Sequence, residues 1–188
     1  MNKKSIRKIL GGFKSYVPGG VSIRGTGGTD SARYCYTIWL RHLSILYKNG
    51  LTKIPNTIAE LGPGDSIGTG LAGLLSGSKK FYALDVVEHT DIKKNISVFD
   101  ELVTLFANHS ALPDDNEFPR VLPRLTSYNF PSEIFADNNL ENFLDKSRIQ
   151  SLRNELVDIK KQKNSIKYMC PWNDPKIIES DSVDVVFS

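Results

Sequence analysis

The sequence predicts an α/β fold, a doubly wound parallel sheet, and three features carry that prediction. Apolar runs near 57–61, 81–87, 166–170 and 182–187 have strand length, and helical patterns separate the first three. The first run, Thr57-Ile58-Ala59-Glu60-Leu61, breaks into Gly62-Pro63-Gly64-Asp65-Ser66, a turn that leads into a helical pattern. The second run carries Asp85, 21 residues after Gly64. A strand, a glycine turn, a helix and a second strand with a carboxylate at its tip form a pocket for an adenosine-containing ligand.

Taken in order, residues 1–29 are rich in glycine, from Gly11 and Gly12 to Gly27 and Gly28, and read as a flexible N-terminal arm. The rest, 30–188, is expected to form the α/β domain. Asp30 or Ser31 caps a helix running to Lys48, with Cys35, Trp39, Leu43 and Leu46 on one stripe and Gly50 as its stop. Trp39, Tyr36 and Leu40 are packing residues. Pro55 and Asn56 introduce the strand at 57–61. Asp65 or Ser66 is expected to cap the next helix, whose stripe is Ile67, Leu71, Leu74 and Leu75 and whose stop is Gly77. After the strand Phe81–Val87 the connection is long. A helix at 96–107, a proline-bearing loop at 113–131, and helices near 138–145 and 147–162 fill it. Such a crossover exceeds what two parallel strands need, so about 108–164 reads as a helical insertion over the sheet edge or the pocket mouth.

The bulk numbers narrow the function. At 40% hydrophobic and 24% charged residues, the composition is that of an ordinary globular protein. A net charge of +3, with no basic run interleaved with aromatics, gives no nucleic-acid footprint. No apolar run approaches membrane-spanning length, and the basic N-terminus lacks the apolar core of a secretory signal. Cys35 and Cys170 have no pairing spacing, which fits a cytoplasmic protein. His42, His89 and His109 have no spaced partners, so no metal site is expected.

At the turn, Gly62 and Gly64 are expected to let the backbone approach a ligand. A dinucleotide motif would need a third glycine at position 67, which is Ile67, and no GK[ST] follows for a triphosphate. Glu60 and Asp65 put two carboxylates beside the turn, which suits a sulfonium or ammonium group better than phosphates. On these residues, Glu60-Leu61-Gly62-Pro63-Gly64, then Asp85, then Val183-Asp184-Val185-Val186-Phe187-Ser188, the chain resembles class I, Rossmann-like S-adenosylmethionine-dependent methyltransferases. The helix Ala32–Leu40 resembles the one preceding their first strand. The pattern departs at Ser66, which stands where a third glycine is usual, and the 88–164 stretch has no counterpart.

The resemblance implies strand order 3-2-1-4, with S-adenosylmethionine as methyl donor and a small molecule as acceptor. It implies cofactor binding by Glu60, Gly62, Gly64, Asp65, Asp85, Val86, Trp172 and Asn173. Asp85 would accept the ribose hydroxyls, since a carboxylate can take two vicinal O–H groups. Trp172 would stack on adenine or pack, and Asn173 or Asp174 would bond its amine. Glu60 would touch the ligand or support the turn, and Arg33 and Tyr34 would reach the cofactor carboxylate. No catalytic base is identified. The pattern is expected to continue past Ser188, making this a truncated chain, feeble alone, with the fourth strand as an exposed edge prone to oligomer contacts. Two other readings stay open: an NAD-dependent oxidoreductase or epimerase, and a non-catalytic binding module on a methyltransferase fold.

Overall fold

The structure is a computed structural model that describes residues 28–136, 140–161 and 165–188. Residues 1–27 of the expected arm lie outside these. Gly28 and Thr29 are held in a turn closed by a Ser31 N–H bond to the Gly28 carbonyl at 3.0 Å.

Helix α1 spans Ala32–Lys48, and Ser31 caps it by accepting from the Tyr34 amide at 3.3 Å. Cys35, Trp39 and Leu43 of its stripe are buried, together with Tyr36 and Leu40. Strand β1 is Thr57–Leu61 and helix α2 is Gly68–Leu75, every residue of which is buried. Strand β2 is Lys80–Leu84, ending three residues before the expected Val87. The cause is Asp85, whose Oδ1 accepts from the Val86 amide at 2.8 Å and the Val87 amide at 3.4 Å, turning the chain out of the sheet.

Helix α3, Ile92–Ala107, starts earlier than the apolar pattern indicates because Asp91 caps it through the Lys94 amide at 2.8 Å. The insertion holds two single-turn helices, α4 (Ser132–Phe135) and α5 (Leu140–Phe143). Helix α6, Lys146–Val157, follows with Asp145 as its cap, and a 3-10 turn, Ile159–Lys161, comes next. Strand β3 is Ile166–Met169 and β4 is Val185–Phe187.

The four strands are all parallel in the order β3-β2-β1-β4, as expected. Side-chain alternation sends Ile58, Phe81, Ala83, Ile166, Tyr168 and Phe187 to one face, where they share a core with α1 to α6. Ala59, Tyr82 and Leu84 point to the other face and pack with Met169, Ile178 and Val183. The helices described here therefore lie on one face, and the second layer of a doubly wound sheet is not among the described residues. Crossover handedness explains this. The β1-to-β2 and β2-to-β3 steps run in one direction and put their helices on the same side. The β3-to-β4 step runs back across the sheet and carries a 3-10 turn, Pro175–Ile177, in place of a helix.

The insertion packs on the helices rather than over the strand tips. Arg41 of α1, fully buried, anchors it: its guanidinium donates to the carbonyls of Pro113, Val121 and Pro123 and to Asp115, and lies over the Tyr128 ring. Tyr36 and Thr37 add bonds to the Ser110 and Pro113 carbonyls at 2.8 Å each. On the far side, Arg153 of α6 forks onto Asp100 of α3. The insertion reaches the strand tips at Lys160, which pairs with Glu88 at 2.7 Å.

Candidate functional site

The carboxyl ends of β1, β2 and β3 bring most of the predicted residues together. The ladder between β1 and β2 runs one residue past Leu61, where the Gly62 amide donates to the Leu84 carbonyl at 2.8 Å. Gly62 then takes φ +70° and Gly64 φ +77°, the left-handed region that glycine enters without strain. A Cβ on Gly62 would meet nothing within 4 Å. The glycine is thus required at Gly62 by backbone conformation, not by crowding, and the space before it is open.

Glu60 is inside the protein. It is 5% exposed, and its Oε2 has no hydrogen-bond partner. The Thr69 hydroxyl and the Gly70 amide favour its ionised form, but burial outweighs them and nearby Asp85 adds to the effect, pushing the carboxyl up to about 8. Its neighbour on α1, the Cys35 thiol, is pushed up to about 12 by burial, with Glu60 again contributing. Glu60 is therefore mostly protonated at neutral pH. Asp65, the second acid expected to flank the turn, pairs with Lys94 of α3 at 3.3 Å. The two-carboxylate wall read from the sequence is not there in charge terms: one acid is neutral and the other is matched.

The start of α2 lies one residue beyond the expected Asp65 or Ser66 cap. Ile67 occupies the cap position, and Ser66, not Asp65, supplies the oxygen, accepting from the Gly68 amide at 3.1 Å. Ser66 in turn donates to the Thr29 carbonyl, which also accepts from Cys35. The Ile67 amide is taken by Asn95 Oδ1 at 3.1 Å, and the Gly70 amide faces Glu60. Three donors that a phosphate would need at this terminus already have protein acceptors.

Asp85 stands at the tip of β2, 8% exposed. Its Oδ1 is used by the Val86 and Val87 amides, whereas its Oδ2 is buried without a partner. The chain after β3 closes onto it, with the Trp172 amide donating to the Asp85 carbonyl at 2.7 Å. Trp172 is 36% exposed, Val86 is 72% exposed, and Asn173 is exposed. Arg33 is not turned to the tips but forks onto Glu117 of the insertion at 2.8 and 2.6 Å. Tyr34 sits edge-on against Phe118.

Two concave regions lie elsewhere. A groove of about 720 Å³ runs between the second half of α1 and the 124–134 loop, lined by Lys48, Arg124, Leu125 and Phe130 among others. A smaller one of about 390 Å³ lies between Glu88–Lys93 and the Ile159–Lys160 turn. None of the predicted site residues lines either. Among the described residues, no group of three His, Cys, Asp or Glu could share a metal ion, and no helix is long and apolar enough to cross a membrane.

Comparison with protein-family models, with curated proteins and with solved structures finds no match. The site must speak for itself. Sequence reasoning missed Thr69, Lys94, Asn95 and Tyr168. Of these, Tyr168 had a signal: it alternates with Ile166 on β3, so it projects from the sheet face that carries the helices.

Proposed function

We propose that the chain binds S-adenosylmethionine on a class I, Rossmann-like sheet and donates its methyl group to a small-molecule acceptor. One observation carries the reading: Asp85 keeps an unpartnered carboxylate oxygen at the tip of β2, beside the positive-φ turn after β1 and the open space before Gly62. A buried acceptor without a donor is costly to the fold, on the order of 1–3 kcal/mol, and a ligand hydroxyl would remove that cost. Gly62 and Gly64 would border the methionyl part, and Val86, Trp172 and Asn173 the adenosine. When bound, the cofactor supplies an activated methyl group. The chain's task is then alignment and exclusion of water, since an in-line displacement gains most from positioning. No residue at the tips is assigned as a base.

The state of Glu60 modifies the electrostatic argument without ending it. A cation beside its carboxyl would favour ionisation, so the negative charge would appear on binding. The occupied amides of Ile67, Gly68 and Gly70 weigh against a dinucleotide pyrophosphate, and so against the oxidoreductase alternative. The experiment is calorimetric titration with S-adenosylhomocysteine and, separately, with NADH. Saturable heat with the first and none with the second is expected, with Asp85→Ala weakening the first at least about tenfold. No binding of S-adenosylhomocysteine by the unaltered chain removes the reading. An unchanged affinity in Asp85→Ala would favour a binding module of another kind.

A further inference from the structure

Asp85 does not have two free oxygens. Its Oδ1 is committed to the Val86 and Val87 amides, which leaves Oδ2 for one ligand hydroxyl. A ribose presents two. A second unsatisfied polar atom lies at the same end of the sheet, the hydroxyl of Tyr168 on β3. Tyr168 is 5% exposed, and the weak contact its hydroxyl makes with the Cys170 thiol does not offset the loss of water. The register pairs Tyr168 with Ala83, so Tyr168 and Asp85 project from the same face of adjacent strands. Asp85 and the Cys170 thiol are close enough for both to raise the Tyr168 hydroxyl, although burial is the main cause of its shift. The hydroxyl is therefore neutral and can both donate and accept.

We infer that the vicinal diol of an adenosyl ligand is shared, one hydroxyl donating to Asp85 Oδ2 and the other bonded to the hydroxyl of Tyr168. This rests on the adenosyl-ligand reading above. Neither atom touches solvent, so the ligand reaches them by displacing a neighbour. Val86 and Trp172 are both exposed at that tip. Tyr168 is a specificity residue in this scheme. It recognises a sugar with both hydroxyls and takes no part in methyl transfer.

The test pairs two variants, Tyr168→Phe and Asp85→Asn, with three ligands: S-adenosylhomocysteine and its 2′-deoxy and 3′-deoxy analogues. Tyr168→Phe is expected to bind S-adenosylhomocysteine about tenfold more weakly while binding one deoxy analogue as the unaltered chain does. Asp85→Asn is expected to show the same indifference to the other analogue. Because Tyr168→Phe removes a hydroxyl whose contact with the protein is a weak one to the Cys170 thiol, its melting temperature should change little, which separates ligand loss from damage to the fold. Equal affinity of Tyr168→Phe and the unaltered chain for S-adenosylhomocysteine overturns the inference. So does an equal loss for all three ligands, as expected if the hydroxyl merely holds a water. Failure of the unaltered chain to bind any of the three overturns the parent reading instead.

Discussion

Replacing Glu60 by Gln tests the central electrostatic feature of the site. The carboxyl moves from its ordinary 4.5 to about 8 on folding, because burial outweighs the Thr69 and Gly70 donors. Below pH 4.5 the folded and unfolded chains both hold this proton, and Glu60 makes stability no function of pH. Between 4.5 and about 8 the unfolded chain has released it while the folded chain retains it, so stability falls as pH rises. Above about 8 the loss is complete. At about 1.4 kcal/mol per pH unit the full cost is roughly 5 kcal/mol, a ceiling, because side-chain shifts or water entry would relieve part of it. Glu60→Gln keeps the shape and an acceptor for Thr69 and Gly70 but has no proton to lose. Urea unfolding of both proteins between about pH 5 and 8 isolates the effect, since titrating groups remote from Glu60 cancel in the difference. The unaltered chain should lose about 2–4 kcal/mol relative to the variant across that range. Parallel curves would refute the argument and put Glu60 in contact with water or with a cation.

Two further outcomes follow from packing. Arg41→Met removes the fork that ties the insertion to α1, leaving the carbonyls of Pro113, Val121 and Pro123 without that donor. A loss of about 3–5 kcal/mol is expected in denaturant unfolding, with Arg41→Lys only partly restoring it because an ammonium cannot reproduce the planar fork; a loss within error for Arg41→Met would mean the insertion is anchored elsewhere. On β4, Val186 is 57% exposed on a strand that, among the described residues, pairs with β1 alone. If copies of the chain associate through that edge, Val186→Lys should reduce concentration-dependent self-association in sedimentation velocity, and an unchanged distribution would dismiss the edge as the contact.

The parts of the fold that local pattern encodes were legible, and the parts that depend on distant partners were not. Apolar runs of strand length marked β1, β2 and β3, and the cap at Ser31 obeys a rule visible in a few residues, whereas the cap at Asp145 fell inside a stretch read as helix. The positions of Glu60, Gly62 and Asp85 at neighbouring tips followed from the same pattern. Their charge states could not, because these depend on who arrives beside them. Glu60 is neutralised by burial under α1 and α2, and Asp65 is matched by Lys94, 29 positions along the chain. The glycines show the same divide. Gly62 is required by a backbone angle that the turn motif announces. Gly70, within α2, is required because a Cβ there would lie 2.0 Å from the Phe81 ring, a contact that nothing local reveals. What remains at the tips is a set of buried polar atoms that lack a well-aligned hydrogen bond: Glu60 Oε2, Asp85 Oδ2 and the Tyr168 hydroxyl. They come from β1, β2 and β3, three adjacent strands that end at the same side of one sheet. Packing alone gives no reason for three such groups to gather there, whereas a bound polar ligand would satisfy them together.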